Sequence, residues 1–279
     1  MRIVDTHLHL IYPDRFTYDW LASVPAIDQA FSAEDYWAEA ERLGIEAALH
    51  MEADVAAGQR EAETRFVQGL DARIVGAVAA ARPEEPAFPA EIERLAAMPR
   101  VRGIRRILHT APDALSQTDL FADNIRRLGP LGLPFDLCVL ARQLPVGRSL
   151  AAKCPDTQFV LDHCGVPDIA GGGYGTWREA ISAIAELPNV AAKISGVVAY
   201  AGADWGTDTL RPYVEHVIEC FGWDRIVWGS DHPVCRLTAD LTRWVEATHE
   251  LLAGCSDDEK ARLLSRNAVR IYGLEGEVA

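Results

Sequence analysis

Two histidines, His7 and His9, are separated by a single residue in the string DTHLH near the start of the chain. In an extended strand the side chains of residues i and i+2 point to the same side, so both imidazoles can face one cavity. Neutral imidazole binds zinc and similar divalent ions well. The pair therefore predicts half of a transition-metal site, although a surface or hydrogen-bonded histidine pair is the alternative.

A third histidine and an aspartate end two apolar runs further along the chain. His163 closes QFVLDH and Asp231 closes IVWGSD, and each is followed by glycine or proline. One polar residue at a strand end usually has a structural role. Four such residues at the C-terminal ends of predicted strands indicate a catalytic centre, because parallel barrel strands all end at one mouth.

Short apolar strands alternate with longer amphipathic helices along the whole chain, which is typical of βαβ units with parallel strands. The segment after Ser32 illustrates the helical pattern, with a capping serine, acidic residues in the first turn and Gly44 just past the end. Other helices are predicted around residues 61–70, 89–98, 118–128, 143–153, 176–187, 209–221, 239–252 and 257–272. Strands are predicted at residues 2–7, 46–52, 73–79, 101–108, 133–139, 158–163, 189–195 and 225–231.

These units predict an α/β protein, a (β/α)8 TIM-like barrel that forms a single domain over residues 1–279. A doubly wound open sheet gives the same alternation and is the rival architecture. Closure is favoured because there are eight strands, and because only a barrel brings the ends of strands one, six and eight around one mouth. The aperiodic segment 11–31, which follows the first strand, is predicted to be an active-site loop.

Composition and charge narrow the class of protein. The formal net charge of −14 and the lack of a run of lysine and arginine argue against a nucleic-acid partner. No apolar run approaches the roughly 18–20 residues that cross a bilayer, and the N-terminus lacks a secretory pattern. A cytoplasmic protein with no membrane partner is expected, and its oligomeric state is left open. Six scattered cysteines without a CxxC pair indicate reduced packing residues.

The ordered strings DTHLH, LDHCG and GSDHP resemble the amidohydrolase superfamily. The strings NVAAKISGV, LRPYVEHVIECFGWDRIVWGSDHPVC and NAVRIYGL are similar to its L-fuconolactonase-like and 2-pyrone-4,6-dicarboxylate lactonase-like branch. The similarity runs across nearly the whole chain and is strongest from Asp162 onward. It implies a distorted barrel and a hydrolase that opens a sugar-derived or related small-acid lactone, as in carbohydrate catabolism.

The resemblance also implies roles for the four residues. Asp231 would be the general base that takes a proton from the attacking water and delivers it to the leaving oxygen, with His163 as its catalytic partner. His7, His9, His163 and Asp231 would bind one divalent ion, with zinc expected; in metal-free relatives the histidines would instead hydrogen-bond the lactone carbonyl. Strand four lacks the carboxylated lysine of two-metal members, so at most one ion is expected.

Five further residues are predicted to contact a small lactone or carboxylate substrate. Arg105 is preferred among the three arginines of strand four, because a buried guanidinium suits carboxylate or hydroxyl groups; an ion pair between strands is the alternative. By resemblance Lys193 would line the site wall, or else be a strand lysine satisfied by a neighbouring carboxylate. Glu52 would be a substrate contact or an extra ligand. His109 would extend the pocket, and His232, where many relatives have tryptophan, would alter substrate choice.

Two other functions share this set of residues. Related enzymes of the same fold use the HxH pair, the third histidine and the aspartate to decarboxylate aromatic or unsaturated acids through a metal. A metal-dependent decarboxylase is therefore the alternative to a lactonase. A catalytically silent binding barrel is disfavoured because all four site residues are retained.

Overall fold

The computed structural model describes residues 2–278, and eight parallel strands form one sheet whose order follows the chain. The strands are β1 (Ile3–Leu8), β2 (Ile45–Met51), β3 (Ile74–Ala80), β4 (Val101–Ile107), β5 (Phe135–Cys138), β6 (Phe159–Leu161), β7 (Val190–Ile194) and β8 (Ile226–Trp228). Each strand overlaps its predicted position. The single-domain (β/α)8 barrel predicted from the sequence is therefore confirmed.

Helices connect the strands as the amphipathic pattern predicts. The first begins at the predicted cap, where the side chain of Ser32 accepts a hydrogen bond from the backbone of Asp35. The helices are α1 (Ala33–Ala40), α2 (Arg60–Val67), α3 (Phe88–Ala96), α4 (Asp119–Arg126), α5 (Leu144–Lys153), α6 (Tyr174–Ala185), α7 (Thr207–Phe221), α8 (Leu241–Leu251), α9 (Asp257–Ala261) and α10 (Asn267–Tyr272). A π-helical turn joins α9 to α10.

Contacts between β8 and β1 bring the two edges of the sheet together. Leu8 forms a parallel bridge with His232, the backbone N–H of Asp231 donates to the carbonyl of His7 at 2.9 Å, and the Thr6 hydroxyl donates to the carbonyl of Trp228 at 2.7 Å. These bonds place the ends of the first and last strands side by side. The residues that follow the two strands therefore share one mouth.

Alternate residues of each strand face the barrel axis, so the interior is built in layers. The lowest layer is apolar and contains Val4, Ala47, Leu49, Val75, Val78, Val160, Ala191 and Val227. The final helix α10 closes this end of the barrel with Ala268, Ile271 and Tyr272. Above it, the buried polar residues Asp136, Asp162 and Lys193 form the layer on which the site rests.

The segment predicted to be an active-site loop lies at the opposite, C-terminal end of the strands. An antiparallel bridge between Ile11 and Phe31 closes it, and its apolar side chains pack against Ala53 and Val55 in the loop after β2. Trp20 in this segment donates its indole N–H to the carbonyl of Ala53 at 2.8 Å. The loop is thus an ordered wall of the mouth.

The remaining expectations concern membranes and cysteines. Between residues 2 and 278 no helix combines the length and the apolar character that a bilayer span requires. All six cysteines carry free thiols, and four of them are buried, in agreement with the predicted packing role.

Candidate active site

The structure brings His7, His9, His163 and Asp231 together at the C-terminal mouth of the barrel. The Oδ1 atom of Asp231 lies 3.7 Å from Nε2 of His7, 3.7 Å from Nε2 of His9 and 3.9 Å from Nε2 of His163. The His7 ring centre is 4.9 Å from that of His9 and 4.4 Å from that of His163. All four side chains are buried. Three imidazole nitrogens thus surround one carboxylate oxygen without hydrogen-bonding to it.

The other ring nitrogen of two of these histidines is fixed by a neighbour. Nδ1 of His9 lies 3.0 Å from the carbonyl oxygen of Met51, which can only accept, so His9 carries its proton on Nδ1. Nδ1 of His163 lies 2.9 Å from the hydroxyl of Ser195. Partners of this kind set the tautomer and the ring orientation of metal-binding histidines. They leave Nε2 of each ring facing Asp231.

Asp5, the first residue of the DTHLH string, holds β1 in place beside β8. Its Oδ1 accepts from the backbone N–H groups of His7 and Ser230 at 3.0 and 2.8 Å, and its Oδ2 accepts from the Tyr36 hydroxyl at 2.7 Å. Burial raises the pKa of Asp5, and these hydrogen bonds offset part of that rise. Asp5 therefore positions His7 and the turn that carries Asp231.

Left-handed backbone at the site aims the functional side chains. His163 and Asp231 have φ angles of 54° and 57°, a region that costs energy for residues other than glycine and that often marks functional sites. The turn at His163 ends β6 early and lets the consecutive residues Asp162 and His163 both reach the barrel interior. Gly196, at φ 63°, leaves room for them: a Cβ there would lie 2.4 Å from Nδ1 of His163 and 2.9 Å from Oδ2 of Asp231.

The donor set at the mouth fits a divalent metal ion. His7, His9 and Asp231 each offer a ligand atom within 4.8 Å of the others, and Nε2 of His163 faces the same carboxylate. Ligands about 2.1 Å from a shared ion stand roughly 3 to 4 Å apart, as Oδ1 of Asp231 does from each of the three Nε2 atoms. Oδ2 of Asp231 is buried and has no hydrogen-bond partner in the part of the chain that the structure describes. Such an atom is well suited to bind a cation.

Burial also keeps two of these histidines neutral, which is the form that binds metal. The pKa of His7 is well below its usual value because the ring is buried and Lys193 lies close, although Asp162 partly opposes this. Burial lowers the pKa of His163 as well, against the attraction of Asp231. Both rings are therefore available as neutral ligands or hydrogen-bonding groups near neutral pH.

Arg105 and Glu52 form a buried ion pair beside the four residues. Nε of Arg105 donates to Oε1 of Glu52 at 2.7 Å, and Nη2 donates to the Glu52 carbonyl at 2.6 Å. The third nitrogen, Nη1, lies 3.3 Å from Nε2 of His7. Burial alone would raise the pKa of Glu52, but the guanidinium outweighs it and holds the pKa below its usual value. The predicted alternative, an ion pair between strands, is what the structure contains, and Nη1 alone remains directed at the site.

Lys193 lies one layer below the mouth and is fully buried. Its Nζ is 2.5 Å from Oδ1 of Asp136 and 3.1 Å from Oδ1 of Asp162. Burial opposes charge on these groups, but their mutual attraction raises the pKa of Lys193 and lowers that of Asp162. Of the two roles weighed for Lys193, the structure places it as the strand lysine satisfied by carboxylates.

A cavity of about 190 Å³ opens at the mouth beside Asp231. It is lined by His9, Trp20, Ala53, Asp54, Arg105, Ile107, His109, Thr110, Cys138, His163, Tyr200, Asp231 and Val234. The volume is below the roughly 300 Å³ at which drug-sized ligand sites begin, so one small ring fits it best. The lining includes Arg105 and His109 from the predicted substrate contacts, whereas Glu52, Lys193 and His232 contact residues behind it.

The last two predicted contacts have distinct surroundings. His109 is half-buried, with Nδ1 3.0 Å from the Sγ of Cys138, and burial lowers its pKa to about 4. His232 is buried between the rings of Phe31 and Tyr36, each 5.4 Å away between centres. His109 can thus present its free ring edge to a substrate, and His232 supports the wall.

Sequence reasoning did not single out several residues of the site. Asp54, Cys138 and Tyr200 line the cavity from loops or strand ends without a motif to mark them. Asp136 and Asp162 had a usable signal, because each is a charged residue inside an otherwise apolar strand and must find a partner there.

His50 lies in β2, and its ionisation makes the free energy of unfolding depend on pH. Burial, with some repulsion from His9 and Arg105, lowers its pKa to about 3. Between this value and the unfolded value of about 6.5, the unfolded chain binds a proton that the native protein does not. The stability that depends on a neutral His50 is therefore fully present above about pH 6.5, and it is lost progressively as the pH falls from 6.5 toward 3. Lowering the pH from 7 to 5 should cost about 2 kcal/mol through His50 alone.

Urea unfolding at several pH values measures this effect. The variant His50→Gln should take up about one proton fewer on unfolding over this range. His249→Gln, on the exposed face of α8, is the matched control and should change the pH dependence much less. If the free energy of unfolding of His50→Gln changed with pH as steeply as that of wild type, the lowered pKa of His50 would be contradicted.

Comparison with known proteins identifies relatives of this chain. Residues 4–274 match the amidohydrolase family. The chain is 34% identical over 194 residues to L-fucono-1,5-lactonase of Burkholderia ambifaria, covering 67% of this chain and 66% of that one. It is 29% identical over 298 residues to L-fucono-1,5-lactonase of Burkholderia multivorans, covering 97% and 96%. A crystal structure of an amidohydrolase from Burkholderia multivorans with bound zinc matches with a TM-score of 0.88 at 26% identity, over 98% of this chain and 99% of that one.

Proposed function

Because this chain belongs to the amidohydrolase family, we propose that it is a hydrolase that opens a neutral, sugar-derived lactone with Asp231 as the general base. The observation that carries the proposal is the convergence of Asp231 with His7, His9 and His163 beside a cavity sized for one small ring. Two relatives named L-fucono-1,5-lactonase support the reaction class.

In the proposed reaction, Asp231 accepts a proton from a water molecule as the water oxygen attacks the lactone carbonyl carbon. Negative charge develops on the carbonyl oxygen, which we place toward the imidazoles and Nη1 of Arg105. The bond from the carbonyl carbon to the ring oxygen then breaks, and protonated Asp231 returns its proton to that leaving oxygen. The product is an open hydroxy acid, and every atom of water is accounted for.

We assign His7, His9, His163 and Asp231 as the ligands of one divalent ion, with zinc preferred because imidazole and carboxylate are ligands it favours. A relative with bound zinc supports this choice. When bound, the ion would polarise the lactone carbonyl and lower the pKa of water. The chain's own contribution is to keep the Nε2 atoms directed at Asp231 through the partners of the Nδ1 atoms.

The charges of the cavity favour a neutral substrate over a carboxylated one. Among the residues that line it, Asp54 and Asp231 are acidic and Arg105 is the one cation. Two of the three guanidinium nitrogens of Arg105 already bond to Glu52. Apart from the assigned ion, a substrate carboxylate would therefore meet Asp54, whose own partner Arg82 is 3.8 Å away, and a single uncommitted guanidinium nitrogen. Hydroxyl groups of a sugar ring can instead bond to Asp54, His109 and Tyr200.

A panel of lactones tests the proposal. Purified protein is expected to acidify weakly buffered neutral aldonolactones well above their spontaneous rate, and to act more slowly on lactones that carry a carboxylate or sulfonate. Added chelator should reduce the enzymatic rate, and zinc should restore it. Release of carbon dioxide from an unsaturated acid without any lactone opening would instead favour the decarboxylase, and a preference for anionic lactones would overturn the substrate class.

A further inference from the structure

A second group of buried donors lies one layer below the proposed metal ligands. Nζ of Lys193 is surrounded by Oδ1 of Asp136 at 2.5 Å, Oδ1 of Asp162 at 3.1 Å and Nδ1 of His7 at 3.2 Å. All four side chains are fully buried. Two carboxylates and an imidazole are also donors that zinc and similar ions bind. The ammonium group of Lys193 therefore lies among three side chains that could also bind a metal ion.

Some carboxylate oxygens around Lys193 have no hydrogen-bond partner, so the group offers more acceptor atoms than the ammonium satisfies. Oδ2 of Asp136 and Oδ2 of Asp162 are buried and, within residues 2–278, have no hydrogen-bond partner, although Nη1 of Arg105 forms an ion pair with the Asp162 oxygen at 3.7 Å. His7, Asp162 and His163 also offer ligand atoms that all lie within 4.8 Å of one another. Buried carboxylate oxygens without partners are costly unless a positive charge is near. Here the positive charge is supplied by the chain itself.

The position is next to the proposed metal site because His7 belongs to both. Its Nε2 faces Asp231, whereas its Nδ1 faces Lys193 and lies 3.4 Å from Oδ1 of Asp162. A divalent ion at the lower position would compete with the ammonium for the same three donors. The positive charge of Lys193 would also repel it.

We propose that the Lys193 ammonium is a built-in cation that occupies a second metal position, formed by Asp136, Asp162 and His7, and limits the site to one exchangeable ion. The inference rests on the proposed function in one respect, since it takes His7 as a ligand of that ion. Lys193 is then a positioning residue: it holds Oδ1 of Asp162, which lies 3.4 Å from Nδ1 of His7 and can accept the ring proton there, so that Nε2 stays free to bind the ion. Removing the charge would open the three ligands to a divalent ion, and His7 would then bridge the two ions through Nε2 and Nδ1 as an imidazolate, with its ring proton released to solvent.

Metal content measures this directly. Wild type and Lys193→Met are saturated with Co²⁺, dialysed and compared by elemental analysis and by visible absorption. Lys193→Met is expected to retain about one more ion per chain than wild type, with a new cobalt absorption band. Lys193→Arg keeps the charge and should retain the wild-type content. Lys153→Met, at an exposed lysine of α5, is the matched control and should also match wild type.

A second variant guards against misfolding. Lys193→Met leaves two carboxylates buried together, so Lys193→Gln is the second uncharged variant: its amide can still donate hydrogen bonds to the carboxylates, and all three ligands of the proposed position are kept. Excess Co²⁺ should raise the Tm of Lys193→Met and of Lys193→Gln, measured by thermal unfolding, by more than it raises the Tm of wild type. Two ions bound to wild type would overturn the inference. An ion content or a Tm shift equal to that of wild type in folded Lys193→Met and Lys193→Gln would also overturn it.

These readouts do not depend on catalysis. Failure of the lactonase proposal would appear as wild type that opens no lactone, whatever its metal content. Failure of the second-position inference would appear as a metal content and a Tm shift that do not change when the charge at position 193 is removed, even in an active lactonase.

Discussion

Replacing Asp231 with asparagine is expected to lower kcat/KM for lactone opening roughly 10²- to 10⁴-fold, the usual contribution of a general base. Asparagine has the same shape but cannot accept a proton from water. It also tolerates the left-handed backbone that Asp231 adopts at φ 57°, so the turn itself should persist. Initial rates on the best neutral lactone of the panel measure the loss, and circular dichroism checks the fold.

Asp240→Asn is the matched control for this variant. Asp240 caps α8, where its side chain accepts from the backbone N–H of Arg243 at 2.7 Å, and asparagine caps helices equally well. The control should keep wild-type kcat/KM. If Asp231→Asn turned over lactones as fast as the control does, Asp231 would not be the base.

Replacing Gly196 with alanine is expected to lower kcat/KM by roughly 10²-fold, although Gly196 has no side chain to take part in the chemistry. The added Cβ would lie 2.4 Å from Nδ1 of His163 and 2.9 Å from Oδ2 of Asp231, so both residues must move. The left-handed φ of 63° adds about 1–2 kcal/mol of backbone strain. Steady-state kinetics and urea unfolding separate the two effects.

Gly132→Ala isolates the strain. Gly132 has a similar φ of 66°, but no atom lies within 4 Å of a Cβ built there. This control should lose stability by the strain alone and keep its activity. Equal activities of the two alanine variants would show that His163 and Asp231 do not need the space beside Gly196.

The strands could be predicted from the sequence because buried parallel strands are continuous apolar runs. The predicted end of a strand was wrong where the backbone enters a left-handed turn. The sixth strand was predicted to reach His163 but ends at Leu161. The reason is the left-handed turn at His163 and Cys164, with φ angles of 54° and 53°. Residue type alone does not predict such a turn, because left-handed conformations of non-glycine residues are stabilised by tertiary contacts.

The four residues at the mouth could be predicted because they stand at strand ends, where barrel topology brings them together. The layer beneath them could not be predicted in detail. Lys193 pairs with Asp136, 57 residues earlier in the chain, and this pairing depends on strand register that a single sequence does not give. The pairing of Arg105 with Glu52 has the same origin. Long-range ion pairs, rather than motifs, decided which predicted substrate contacts reach the cavity.

The helix that closes the lower end of the barrel has a consequence for biosynthesis. The Tyr272 hydroxyl of α10 donates to Oδ1 of Asp136 at 2.9 Å, so the buried charges are completed by an element made after every strand. A nascent chain whose translation has not passed residue 272 would expose Asp136 and the apolar layer to solvent. Folding of the barrel is thus coupled to the presence of α10, and a chain that stops before this helix should lose stability because the buried layer is left uncovered.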